Sequence, residues 1–179
     1  MILTIEPCMR PTAIILAVLF AGSPAAAQSW KEYSYPTDAF SVAFPADPKI
    51  ETTTYQTADG RQAEARVYSV SQDGGVFKMT VADLPDPDMQ ENAVLEHAVR
   101  MLSQGAEITV DIPHRISRVY GRQLSIAAPD GSRSSVAVFF HKRRLYQIEG
   151  TVLSTGTNPG SDAIRFQQSL TFTDDSTNR

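Results

Sequence analysis

The sequence has 179 residues, of which 42% are hydrophobic and 20% are charged, and its formal net charge is −4. This composition is typical of a globular protein rather than a disordered or fibrous one. The negative charge argues against general nucleic-acid binding, which needs a basic face, and the length predicts one domain of ordinary size.

An export signal is predicted at the N-terminus. Arg10 is followed by an apolar run from Ala13 to Gly22, which has the length of a signal-peptide core and is shorter than the roughly 20 residues of a bilayer span. Small residues then lead to Ala27, so we expect cleavage after Ala27 and a periplasmic or secreted protein with no transmembrane segment. The sequence leaves open whether Met1 or Met9 is the start.

Removal of residues 1–27 would also remove Cys8, the only cysteine. The predicted mature chain therefore has no disulfide, no cysteine nucleophile and no cysteine-ligated metal. We expect a single domain over residues 28–173, followed by a polar tail over residues 174–179. Without disulfides the domain depends on its hydrophobic core, for which a chain of about 150 residues suffices.

Strand patterns fill the first part of the predicted domain. Apolar residues alternate from Ala39 to Pro45, where the proline ends the ladder. Extended runs from Lys49 to Leu84 are separated by Asp59-Gly60 and Asp73-Gly74. Asp-Gly is a strong hairpin signal, because the turn needs a positive φ that glycine adopts without strain. These runs therefore predict an antiparallel meander.

The period then changes to that of a helix, between Asp86 and Gly105. Apolar residues spaced three, four and seven apart define one face of this helix, which we expect to pack on the sheet; they are Val94, Leu95, Ala98, Met101 and Leu102. Asp86 before Pro87, or Asp88 with Glu91, is expected to cap its start. Gly105 is expected to close its end.

The acidic run from Asp83 to Glu91, before and at the start of this helix, does not fit a calcium loop. An EF-hand counted from Asp86 requires glycine at its sixth position and glutamate at its twelfth. These positions hold Glu91 and His97. Helix capping and the helix dipole explain the same charges, so no metal is predicted.

The second half repeats the plan of strands followed by a helix. Extended runs are predicted over residues 107–113 and 114–120 and again from Gly121, before a hairpin whose strands flank His141 to Arg144. Val136 to Phe140 is apolar at nearly every position, so this strand should be covered on both faces near the middle of the sheet. Residues 161–172 predict a short helix with Ala163, Phe166 and Leu170 inward. Together these elements predict an α+β sandwich.

Four stretches resemble the PsbP-like domain family of α/β/α sandwiches, which includes many exported bacterial domains. They are Tyr33 to Pro48, Gly121 to Ile126, Arg143 to Gly150 and Arg165 to Phe172. The resemblance implies a central antiparallel sheet between helices. It implies little about activity, since a fold does not set a function, and no catalytic set comes with these stretches. Within these stretches the core is expected to contain Phe40, Phe44, Tyr146 and Phe166, and Gly121 is expected to form a turn.

Catalytic and metal-binding motifs are absent from the sequence. It contains no G-x-S-x-G, H-E-x-x-H, Walker A, G-x-G-x-x-G or S-x-x-K pattern. We expect His97 to be solvated on the helix and His114 to lie in a loop, with no convergence of the three histidines on zinc. No cofactor is predicted, and no pair of carboxylates stands out.

The favoured function is an exported, non-catalytic binding or accessory module acting on a protein or an envelope component. The alternatives are a carrier of a small apolar ligand between helix and sheet and an enzyme of an unrecognised kind. The candidate contact residues are His141, Lys142, Arg143 and Arg144, which carry the only dense basic run. A longer loop of three to five residues is expected there, because a two-residue turn favours Asn or Gly. Solubility near an apolar strand would explain the same charges.

Overall fold

The computed structural model describes residues 30–84, 89–158 and 160–173. The first half contains β1 (Lys31–Tyr35), a 3-10 helix (Pro36–Asp38), β2 (Phe40–Phe44), β3 (Lys49–Gln56), β4 (Gln62–Gln72), β5 (Gly75–Asp83) and α1 (Glu91–Leu102). The second half contains β6 (Glu107–Ile116), β7 (Val119–Ala127), β8 (Arg133–His141), β9 (Arg144–Val152), α2 (Gly160–Gln168) and β10 (Thr171–Phe172).

The centre of the molecule is a seven-stranded antiparallel sheet in the order β3-β4-β5-β9-β8-β7-β6. The predicted meander is confirmed as β3, β4 and β5, and the predicted central hairpin as β8 and β9, the latter being the fourth of the seven strands. Val136 to Phe139 are fully buried, because alternate side chains of β8 enter the cores on opposite faces of the sheet. The expected α+β architecture is confirmed.

Each face of the large sheet is covered by one helix. On one face α1 buries Val94, Leu95, Ala98 and Val99. On the other face lie α2 and a small sheet in the order β1-β2-β10. Four aromatic residues predicted for the core are at most 1% exposed, as expected; they are Phe40, Phe44, Tyr146 and Phe166.

The helix ends differ from the predictions. Gln90 is the N-cap of α1 and makes no side-chain capping bond, so the predicted caps Asp86 and Asp88 are wrong; both lie outside the described residues. The helix ends at Leu102, where the Ser103 Oγ donates to the Val99 carbonyl at 2.9 Å. Gly105, with φ of 74°, follows in the turn.

Two residues predicted to lie inward occupy other places. Met101 is 37% exposed, and Val99 takes its place in the core. Leu170 is buried as expected but follows α2, because the chain leaves the helix after Gln168 and pairs Thr171 and Phe172 with β2.

The break predicted at Pro113 is wrong, since β6 runs through it to Ile116. β6 is an edge strand, where a missing N–H is tolerated. The turn predicted at Gly121 is also wrong, because this glycine lies within β7. A Cβ there would lie 2.1 Å from the Val138 carbonyl oxygen and 2.5 Å from the Phe139 ring, so glycine makes room for the aromatic side chain of the next strand.

Candidate interaction site at the basic turn

The predicted basic loop is a two-residue turn. His141 at the end of β8 pairs with Arg144 at the start of β9, leaving only Lys142 and Arg143 between them. The longer loop expected from the sequence is therefore wrong. The reason lies in the strands: Phe139 faces Tyr146 across the ladder and both are buried, so a shift of register would carry them out of the core.

Both turn residues have left-handed backbones, with φ of 49° at Lys142 and 63° at Arg143. A two-residue turn with two positive φ values favours Asn-Gly or Asp-Gly. The β4–β5 hairpin of the same sheet follows that rule, with φ of 51° at Asp73 and 77° at Gly74. The β8–β9 turn instead holds two bulky cationic residues in a conformation that costs roughly 1–2 kcal/mol per residue.

Hydrogen bonds fix the turn to the neighbouring strand. The Leu84 amide donates to the Arg143 carbonyl at 2.8 Å. The Arg144 Nε donates to Asp83 Oδ1 at 2.7 Å, and its Nη1 donates to the Thr37 carbonyl at 2.8 Å. The turn is thus held at Arg143 and Arg144 by groups that do not belong to its own hairpin.

A chain of alternating charges continues beneath the turn. Asp38 is 2% exposed, and Arg66 Nη2 lies 2.7 Å from both Asp38 Oδ1 and Asp83 Oδ2. Asp83 therefore joins Arg66 to Arg144. The hydrogen bonds that Arg66 donates to the Asp38 carboxylate raise the Arg66 pKa further above its usual range. We call Asp38, Arg66, Asp83 and Arg144 the charge network.

Two tyrosines complete the packing around Asp38. The Tyr68 hydroxyl donates to the Asp38 carboxylate, and the Tyr146 hydroxyl donates to the Asp38 carbonyl at 3.0 Å. Burial, followed by the Asp38 contact, raises the Tyr68 pKa, so this hydroxyl stays protonated and remains a donor. The buried carboxylate is satisfied on several sides, as a buried charge requires.

The structure divides the four predicted contact residues into two pairs. Lys142 and Arg143 are exposed. Arg144 is half-buried in the charge network, and the His141 ring packs on Phe172 with centroids 5.5 Å apart. The turn therefore exposes the side chains of Lys142 and Arg143, whereas those of His141 and Arg144 pack against the rest of the protein.

A cleft of about 570 Å³ opens beside the turn. Its walls are Ala39, Asp83, Leu84, Lys142, Arg143, Arg144 and Tyr146. The lining contains both polar and apolar side chains, and its acidic residue, Asp83, is already paired with Arg144. The cationic side chains of Lys142 and Arg143 at its rim could pair with an acidic group.

A third exposed cation lies at the same end of the sheet. Arg118 is on the two-residue turn between β6 and β7, and β7 pairs directly with β8. The two turns are therefore two strand spacings apart, roughly 10 Å. Lys142, Arg143 and Arg118 form the basic end of the sheet.

The other two histidines differ from their predictions. His97 is half-buried rather than solvated, with its Nε2 2.8 Å from the Gln56 carbonyl oxygen. His114 lies in β6 rather than in a loop, and its ring packs on Phe139 with centroids 5.6 Å apart. Burial lowers the His114 pKa.

Among the residues with described positions, no cluster of three or more His, Cys, Asp or Glu could hold a metal ion. Neither helix in this part of the chain, α1 with 12 residues or α2 with 9, has the length and hydrophobicity of a membrane span.

The sequence matches no family model and no curated protein. Among the solved structures that resemble it is the solution structure of cyanobacterial PsbP (CyanoP) from Synechocystis sp. PCC 6803. The TM-score is 0.56 and the identity 12%, over 86% of this chain and 98% of that chain. The fold is thus that of an α+β protein with a central antiparallel sheet between helices. More particularly, it is a PsbP-like fold, as the resemblance implied.

Sequence reasoning missed the charge network, apart from Arg144. Asp38 and Arg66 are 28 residues apart, and Asp83 and Arg144 are 61 apart, so no local spacing reveals these pairs. The available signal is weak: Arg66 occupies the same face of β4 as the buried Tyr68 and Val70, where a cation needs a partner.

Proposed function

We propose that this protein is an exported, non-catalytic binding or accessory domain, and that it contacts an acidic patch on a partner protein through the basic end of the sheet. The strained turn is the observation that carries this proposal. Lys142 and Arg143 are held in left-handed conformations that Asp-Gly adopts more easily. Backbone strain of this kind concentrates at functional sites.

The anchoring of the turn supports a contact role. The Leu84 and Thr37 backbones and the Asp83 carboxylate hold Arg143 and Arg144 in place. A preorganised surface loses less conformational freedom when it binds. Solubility alone would need charge at the tip but no fixed geometry, so the anchoring favours recognition over a purely solubilising role.

An acidic protein surface suits the site better than a membrane or a nucleic acid. Each exposed cation near an anionic membrane contributes about 1 kcal/mol, which is weak for three residues on a chain of net charge −4. Nucleic-acid binding commonly uses 6–10 phosphate contacts, on the order of twice as many as this end of the sheet offers. The cleft beside the turn is concave and has room for a carboxylate side chain.

Export rests on the predicted leader, residues 1–27, with cleavage after Ala27. N-terminal sequencing of the protein recovered from the periplasm or medium tests this, with Gln28 as the expected first residue. A protein that retains its leader in the cytoplasm would contradict the location.

The contact is tested by pull-down from the envelope fraction with the wild type and with Lys142→Glu/Arg143→Glu. We expect the charge-reversed variant to fold normally and to lose the captured protein. The matched control is Lys49→Glu/Arg133→Glu, which reverses two exposed cations toward the opposite end of the sheet and should retain it. Equal capture by all three proteins would refute the proposed contact, and binding only to anionic vesicles would assign the turn to membranes.

A further inference from the structure

The two edge strands of the seven-stranded sheet differ in how open they are to pairing with another strand. Among the described residues, these edges are β3 and β6. An exposed edge presents unpaired N–H and C=O groups, and proteins protect such edges with prolines and β-bulges. Strand β6 has both, since Pro113 lies within it and its register shifts between Ile108 and Val110. Strand β3 contains no proline and pairs with β4 over eight successive residues without a register shift, so it lacks both protections.

Strand β3 is regular although it buries little surface. Residues Lys49 to Thr54 are all exposed, and because successive side chains alternate, the strand is exposed on both faces of the sheet. Ile50 and Thr52 to Thr54 are β-branched, which favours an extended backbone. Tyr55 packs against the core beneath α1. A strand that is polar on both faces specifies its own pairing weakly and pairs readily with other strands.

Two copies of β3 are complementary to each other in one antiparallel register. Facing residues of an antiparallel pair lie on the same side of the sheet, so a two-fold axis must place one residue opposite its own copy. With Thr53 on the axis, Thr52 faces Thr54 of the second copy, and Glu51 faces Tyr55. Three consecutive positions then form threonine pairs, which are stabilising across strands, and no like charges meet.

Neighbouring registers are less favourable. With Glu51 on the axis, two carboxylates would face each other, which is destabilising. With Thr52 on the axis, one threonine pair forms instead of three, and Pro48, which has no N–H, lies opposite Gln56. We therefore expect the register centred on Thr53.

We infer that two copies of this protein join along β3 into one continuous antiparallel sheet with two-fold symmetry. The second copy covers the open edge of the first, and the protected edge at β6 prevents further addition, so the assembly closes as a dimer. This interface runs along one edge of the sheet, whereas the basic end lies at the turns between strands. The inference therefore does not depend on the contact proposed for the basic end.

Sedimentation equilibrium of the purified protein tests the association. We expect a reversible dimer at concentrations up to about 1 mM. Thr53→Lys, at an exposed position, should fold normally and weaken the dimer by about fivefold, because two ammonium groups then face each other. The matched control is Thr109→Lys, at an exposed threonine of β6, which should dimerise like the wild type. A wild type that stays monomeric at about 1 mM, or a Thr53→Lys variant that dimerises equally well, would overturn the inference.

Single cysteines test the register, in a full chain that carries Cys8→Ser. Facing Cα atoms of antiparallel strands are about 4.5–5.5 Å apart, which a disulfide can span, so Thr53→Cys should give a disulfide-linked dimer in a glutathione redox buffer. Glu51→Cys lies on the same face of β3, but its two copies would be more than about 13 Å apart, so it should stay unlinked. Equal yields of linked dimer from the two variants would overturn the inference.

Discussion

Replacing the turn Lys142-Arg143 by Asn-Gly should stabilise the protein while removing its function. Each left-handed non-glycine residue costs roughly 1–2 kcal/mol, and Asn-Gly removes most of this at both positions. The glycine offsets about 0.5–1 kcal/mol of that gain, because it gives the unfolded chain more conformational freedom. The net expectation is a free energy of unfolding at least about 1 kcal/mol higher than that of the wild type.

Urea denaturation followed by Trp30 fluorescence measures this change, because Trp30 packs on Phe77 in the core with centroids 5.2 Å apart. In thermal unfolding, each gain of about 1 kcal/mol should raise the midpoint temperature Tm by about 2–4 °C for a domain of this size. The matched control is Lys142→Gln/Arg143→Gln, which removes the charges and keeps the strain. Its stability should stay within about 0.5 kcal/mol of the wild type, as for most surface substitutions.

Stability and binding should respond differently in these two variants. Both should lose partner capture, since both lack the cations, but only the Asn-Gly variant should gain stability. An Asn-Gly variant less stable than the wild type would refute the argument from strain. A Gln-Gln variant that still captures the partner would refute the argument from charge.

Three further predictions concern the scaffold. Arg66→Ala should cost about 3–5 kcal/mol in urea denaturation, because it leaves a buried carboxylate unpaired; Arg61→Ala, at an exposed pair, should cost less than about 1 kcal/mol. Gly150→Ala should cost about 1–3 kcal/mol, since its Cβ would lie 2.6 Å from an α2 carbonyl oxygen, whereas Gly160→Ala has no atom within 4 Å and should be neutral or stabilising. Burial lowers the folded-state pKa of His114, so the unfolded chain takes up the proton first and stability should fall as pH drops below about 6.5. In His114→Gln the free energy of unfolding should fall less below about pH 6.5 than in the wild type. Identical pH profiles for the two proteins would contradict this role of His114.

The alternation and turn chemistry of the sequence were enough to predict the large sheet. Asp73-Gly74 specifies its turn locally, and the double-sided apolar pattern of Val136 to Phe140 places β8 near the centre. These signals are short-range and depend on a single segment. They fail at Pro113 and Gly121, because the conformation of each residue depends on its place in the sheet. Pro113 is tolerated on the edge strand β6, and Gly121 makes room for the Phe139 ring of β8.

The candidate site could be predicted only in part. The basic run was visible in the sequence, but the two-residue turn was not, because the local preference for Asn-Gly opposes it. The buried pairing of Phe139 with Tyr146 decides the register, and this is a tertiary effect that overrides turn propensity. The charge network was invisible for the same reason, since Asp38 and Arg66 meet only after β2 and β4 are packed.

We propose that the basic end of the sheet is the contact surface in the cell. A photo-reactive residue in place of Arg118 tests this contact, since this position lies roughly 10 Å from Lys142 and Arg143 and leaves both unchanged. We predict a cross-linked protein adduct that disappears when Lys142→Gln/Arg143→Gln is added, and no such adduct from the same probe at Arg133, at the opposite end of β8. An adduct that persists without the two cations, or one that forms only from the probe at Arg133, would refute the proposed contact surface.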